Sequence, residues 1–153
     1  MKLDPIFTVK QNKLYKIADG TNIDTSSLKR IEIKWSTVEL ADEQYNEEYL
    51  ADLREQLKAM DEYQTFAVLV PVADKPLETP EQTELFINAF NHTARRVKDC
   101  VSVAGFELCK ELTAGGFESG SPAASFMETL AIKHAQYVYF VKAAQAPENI
   151  VTY

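Results

Sequence analysis

Long hydrophobic runs are missing from this sequence, and with them any segment of the roughly 18 apolar residues that a membrane helix requires. The opening residues, Met1-Lys2-Leu3-Asp4-Pro5, carry no secretory leader pattern, so a soluble, cytoplasmic protein without a membrane partner is expected. Cysteine is scarce. Cys100 and Cys109 are too few for the disulfide framework of a small secreted domain, and their apolar flanks predict reduced, mostly buried thiols. The two histidines, His92 and His134, fall on different predicted helices with no further ligand at zinc spacing, so no metal site is expected. Positive charge is also in short supply. Sixteen Lys and Arg stand against 23 Asp and Glu, a net charge of -7. The basic residues are scattered, whereas nucleic-acid binding draws its affinity from clustered cations, so nucleic acid is not an expected partner. The densest basic group, Arg95-Arg96-Lys98, closes a predicted helix, where cations complement the dipole.

What is present is enough for one core. A chain of 153 residues with 46% hydrophobic side chains predicts a single globular domain over residues 1–153. Two short alternating segments, Ile6 to Lys10 and Lys13 to Ile17, flank Gln11-Asn12 and read as a β-hairpin. Ile31 to Trp35 alternates as a strand with one wetter face. From Glu47 to Tyr63, Tyr49, Leu50, Leu53, Leu57 and Met60 recur at helical spacing. Thr65 to Val72 is nearly continuous in apolar and β-branched residues, the pattern of a strand covered on both faces.

Thr79-Pro80-Glu81-Gln82 combines a hydroxyl cap, a proline at the first helical position and a glutamine three residues after the cap, a strong helix start. The stripe of that helix is Leu85, Phe86, Ala89, Phe90, Ala94 and Val97, and Val101 to Phe106 follows as a strand. Ser121-Pro122 starts a further helix carrying Phe126, Met127, Leu130 and Ala131, Tyr137 to Val141 is the last predicted strand, and the tail from Pro147 is expected to be loosely ordered. The reading is therefore α/β: a hairpin, then a four-stranded, mostly parallel β-α-β-α-β-α-β sheet with right-handed crossovers. Such a sheet either curves into half of a barrel or stays open with helices on both faces.

Three groups of residues carry candidate chemistry. Val103 to Leu112 runs from an apolar strand into Glu107, Lys110 and Glu111 at its carboxyl end, where parallel sheets place ligands. Glu107 and Glu111 are the candidate acid and base, and Lys110 a candidate for orienting substrate. A solvated strand exit explains the same residues without chemistry. The loop Ala114 to Pro122 offers Gly115, Gly116, Ser119 and Ser121 as backbone and hydroxyl donors at a helix start, an arrangement that can hold an anion. It lacks the lysine of a P-loop, Glu118 would repel an anion, and glycine before a Ser-Pro cap is also ordinary helix punctuation; no cofactor is expected. Trp35, Tyr137 and Tyr139 are candidate stacking faces for a sugar, although aromatics on strands more often fill a core. Cys109 reads as a small buried side chain before it reads as a nucleophile.

Several of these stretches together resemble the cellulase-like retaining glycoside hydrolases with (β/α)8 barrels. Phe7 to Leu14 followed by Asp19-Gly20 resembles the hairpin that opens such enzymes. Glu48-Tyr49-Leu50 through Phe66 to Leu69 is similar to their second helix and third strand. Arg95 to Asp99 with Val103 to Leu108 resembles the helix and fourth strand that lead to an Asn-Glu-Pro motif. The resemblance places Glu111 at the acid/base position. It also exposes departures: Lys110 and Leu112 stand in place of the flanking Asn and Pro, Glu32 stands in place of an arginine, and the third strand lacks its terminal histidine near Pro71-Val72. Retaining hydrolysis needs two carboxylates about 5 Å apart, and no later strand brings a nucleophile into the matched region. The resemblance therefore implies a half-barrel module, reduced and non-catalytic; its exposed sheet edges predict self-association as a homodimer, and a small molecule or sugar is the expected ligand. The rival expectations are a hydrolase of a small glycoside or ester using Glu111, an anion or small-molecule sensor using the Gly115 to Ser121 loop, and, for the fold, an open doubly wound, flavodoxin-like sheet.

Overall fold

A computed structural model describes residues 3–153. The chain begins with a hairpin of β1 (Phe7–Lys10) and β2 (Lys13–Lys16). Gln11 and Asn12 both take positive φ, 51° and 65°, as a two-residue turn matched to strand twist requires. Five strands then form one wholly parallel sheet: β3 (Lys29–Lys34), β6 (Ala67–Val72), β7 (Val103–Glu107), β8 (Val138–Val141) and β9 (Ile150–Thr152), in that spatial order. Between β3 and β6 lie the one-turn helix α1 (Trp35–Val38), the small pair β4 (Glu39–Ala41) and β5 (Gln44–Tyr45), and helix α2 (Glu47–Asp61). Helix α3 (Pro80–Arg96) joins β6 to β7, and α4 (Lys110–Thr113) and α5 (Pro122–Ala131) join β7 to β8.

The sequence signals at the helix starts are realised as hydrogen bonds. Thr79 Oγ1 accepts from the Gln82 amide at 3.1 Å while Gln82 Oε1 accepts from the Thr79 amide at 3.0 Å, a complete capping box. Asn46 and Ser121 cap α2 and α5 by accepting from the amides of Tyr49 and Ala124. No helix among the described residues is long and apolar enough to cross a membrane.

Two cores lie on opposite faces of the sheet. On the outer face, Ile33, Leu69, Phe106 and Ile150 pack against Leu50, Leu53 and Leu57 of α2, Phe86 and Phe90 of α3 and Phe126 and Leu130 of α5. On the inner face, Val68, Val70, Ala104, Phe140 and Val151 pack against Phe7 and Leu14 of the hairpin. All long helices among the described residues thus lie on one side, and the strand order advances without reversal, which excludes the doubly wound alternative; the sheet resembles part of a (β/α)8 barrel and does not close.

Two expectations change. The tail is not loose: β9 is a fifth parallel strand, because Asn12 at the hairpin turn anchors it. The Asn12 side chain donates to the carbonyls of Ala146, Pro147 and Ile150 at 3.2, 2.7 and 2.8 Å. Trp35 leaves the strand and enters α1, only 2% exposed.

One irregularity positions the site. Ala67 pairs with Val103 but Val68 pairs with Gly105, so Ala104 and Gly105 together advance against one residue of β6. This bulge shifts the alternation by one: Phe106 turns to the outer core and Glu107 to the inner face. A glycine is required at the bulge because a Cβ on residue 105 would lie 1.6 Å from the Val138 carbonyl oxygen.

Candidate functional site at the carboxyl ends of the strands

A cleft of about 420 Å³ opens where β3, β6, β7 and β8 end. Its charged lining consists of Arg30 and Glu32 from β3, Glu107, Lys110 and Glu111 from β7 and α4, and Lys142 after β8. Parallel ladders leave their carboxyl ends facing one way, so side chains far apart in sequence converge there.

Glu107 is the buried member, 6% exposed. Its carboxylate takes two charge-assisted hydrogen bonds from Arg30, Nε to Oε1 at 3.0 Å and Nη2 to Oε2 at 2.9 Å. Tyr153 Oη donates a third, 2.5 Å from Oε1. The ion pair with Glu107 holds the Arg30 guanidinium more firmly in its charged form. Burial, reinforced by the adjacent Glu107 charge, raises the Tyr153 phenol above its usual range. Lys142 lies over the Tyr153 ring with Nζ 4.5 Å from its centroid. Arg30 and Tyr153 were not singled out by sequence. Arg30 sits two residues before Glu32 on an alternating strand, and that period of two was the signal that would have placed both on the same face.

Glu111 and Lys110 are exposed at the start of α4 and line the same cleft. Glu111 adjoins Cys109, and burial, with the Glu111 charge adding to it, pushes the Cys109 thiol up to about 11. A thiol protonated at neutral pH is a poor nucleophile. Cys100 is pushed to a similar value, first by burial.

The structure separates the other candidates from this cleft. Trp35 is enclosed: its indole Nε1 donates to Glu39 Oε1 at 2.8 Å, its ring meets Phe86 edge-on at 5.2 Å, and Lys75 Nζ covers it at 4.6 Å. A sugar platform needs an open ring face, so Trp35 has a packing role instead. Tyr137 and Tyr139 are likewise buried, against Phe106 and Phe126. The loop bearing Gly115, Gly116, Ser119 and Ser121 is not part of the cleft lining; Gly116 and Gly120 take φ of 86° and 88°, and the Ser121 hydroxyl is spent on capping α5. His92 and Arg96 lie away from the cleft on the exposed side of α3, where both bind Glu47 of α2, at 2.9 and 2.8 Å, and His92 stacks on Tyr45 at 4.2 Å.

No family model matches the chain, and no curated protein matches it in sequence. Solved structures do match in fold. The endoglucanase Cel5A of Pseudomonas stutzeri, in complex with cellobiose, superposes with a TM-score of 0.62 at 13% identity over 82% of this chain and 46% of its own. Endo-glycoceramidase II from Rhodococcus sp. in a complex with a cellobiose-like imidazole gives 0.58 at 15% identity over 80% and 46%. A further structure of the latter protein matches 99% of this chain and 55% of its own, with a TM-score of 0.57. The chain thus spans about half the length of the solved structures it matches, and what it shares with them is the fold of part of a cellulase-like glycoside hydrolase barrel.

Proposed function

We propose that this chain is a non-catalytic, glycoside-hydrolase-like module whose cleft at the strand ends holds a small polar ligand. The observation that carries this reading is the state of Glu107. A carboxylate that acts as base or nucleophile must offer a lone pair to the reacting atoms, and three of the four lone-pair directions of Glu107 are taken by Arg30 and Tyr153, both of those on Oε1 among them. Glu111 shares the cleft with Glu107, and Glu107, the buried carboxylate of the two, is engaged by Arg30 and Tyr153, which favours a binding role over an acid/base pair. The exposed Lys110, Glu111, Glu32 and Lys142 supply both donors and acceptors, which suits a polyhydroxylated ligand better than an apolar one. Two of the structural neighbours named above are complexes with cellobiose or a cellobiose-like compound, so a β-linked disaccharide is the first ligand to test.

The test pairs binding with turnover. Cellobiose titrated into isotopically labelled protein is expected to shift the amides of Lys110, Glu111 and Lys142, while aryl β-glycosides are expected to hydrolyse no faster than in buffer. Hydrolysis that disappears in Glu111→Gln would establish the hydrolase reading instead. The specific observation favouring that rival is the position of Glu111 itself, exposed in the cleft beside Lys110.

A further inference from the structure

The parallel sheet has two edge strands, β3 and β9, and they differ in state. The outward-facing groups of β9 are occupied by the hairpin turn: the Thr152 amide donates to the Asn12 carbonyl at 3.2 Å, and the Ile150 carbonyl accepts from the Asn12 side chain at 2.8 Å. Closing a barrel by pairing β9 with the β3 of another molecule would require displacing that turn. The other edge is different. The Lys29 amide points toward β6, donating to Phe66 at 2.9 Å, so the parallel ladder turns the backbone groups of Arg30, Glu32 and Lys34 away from the sheet. The Lys34 carbonyl is taken by the first turn of α1, but the amides and carbonyls of Arg30 and Glu32 have no backbone partner among the described residues.

We infer that β3 is a self-association edge, pairing antiparallel with β3 of a second copy about a two-fold axis through Ile31. Register follows from charge and backbone parity. Because residues 30, 32 and 34 point their backbone outward, they must oppose one another in the hydrogen-bonded positions of an antiparallel pair. Opposing Glu32 to Glu32, or Arg30 to Arg30, sets like charges side by side. Opposing Arg30 to Glu32 of the second copy, and the reverse, gives two opposite-charge cross-strand pairs and puts Ile31 against Ile31. The second copy is the favoured occupant because this strand is complementary to itself, and Glu32 is an exposed carboxylate with no ion-pair partner among the described residues. The pairing also sets Glu32 of the second copy beside the Arg30–Glu107 ion pair, at the wall of the strand-end cleft. The inference stands whether or not the cleft binds a sugar.

In this register the Ile31 positions form a non-hydrogen-bonded pair, whose Cα separation of about 4.5 Å lies within disulfide reach. Ile31→Cys under mild oxidation is therefore expected to give a disulfide-linked dimer of the 17.3 kDa chain, whereas Lys29→Cys, displaced from the axis, is not. Glu32→Arg places a guanidinium opposite Arg30 of the other copy while leaving the Arg30–Glu107 pair in place. It is expected to weaken dimerisation in sedimentation equilibrium by roughly tenfold or more. A wild-type protein that sediments as a monomer overturns the inference. So does a dimer insensitive to Glu32→Arg and not cross-linked through position 31, because its interface lies elsewhere.

Discussion

Arg30 and Glu107, 77 residues apart in the chain, meet in a two-point ion pair that ties the edge strand β3 to the central strand β7 across the intervening β6. The pair is asymmetric in exposure, with the Arg30 side chain 37% and the Glu107 side chain 8% accessible. The carboxylate therefore carries most of the desolvation cost, and its three hydrogen bonds offset it.

Removing the charge of Glu107 should reveal this. Glu107→Gln keeps the shape but leaves Arg30 facing a neutral amide, and a loss of about 2 kcal/mol in urea unfolding at neutral pH is expected, moderated by the exposure of Arg30. Tyr153→Phe removes one hydrogen bond only and should cost about 1 kcal/mol. If Glu107→Gln were as stable as the wild type, the pair would not be holding β3 to β7.

Asn12 should control the tail. Asn12→Gly retains the positive φ and the backbone bonds of the turn while deleting the side-chain bonds to Ala146, Pro147 and Ile150. Amide exchange is expected to accelerate in β9 and in residues 142–149, with β6 and β7 unchanged. Global stability should fall by about 1–2 kcal/mol. Uniform acceleration across the whole sheet would contradict a local anchor.

Acid should loosen the attachment of α2 to the turn before β7. Arg54, first, and then Lys58 hold the Asp99 carboxyl below its ordinary 3.8. Because the folded-state value is depressed, the stabilisation is fully present above the unfolded-state value and is lost as pH falls through the folded one. The stability difference between wild type and Asp99→Asn, measured by denaturant titration at a series of pH values, should be constant near neutrality and shrink below about pH 4. A difference that grows on acidification would contradict this assignment.

Much of the fold was legible because its elements are specified locally. The box at Thr79 and Gln82, the Ser121-Pro122 start and the unbroken run before Val72 each satisfy nearby backbone groups or match a burial pattern, which is information carried within a few residues. Trp35 misled because an indole fits a strand and a one-turn helix equally well, and its choice depends on distant Phe86 and Lys75. The tail misled because β9 has no helix before it and is ordered by Asn12, more than 130 residues away in sequence.

The sequence alone determined the α/β alternation, the capped starts of α3 and α5, the hairpin turn and the strand from which the candidate carboxylates emerge, but not the one-turn helices α1 and α4. Tertiary structure decided which way those carboxylates face. Simple alternation from Val103 would turn Glu107 outward toward the helices; the bulge at Ala104-Gly105, permitted because Gly105 has no Cβ to strike Val138, turns it inward to Arg30 and Tyr153. A single residue of register reverses every side chain after it, and that register is set by pairing with neighbouring strands that local sequence does not encode.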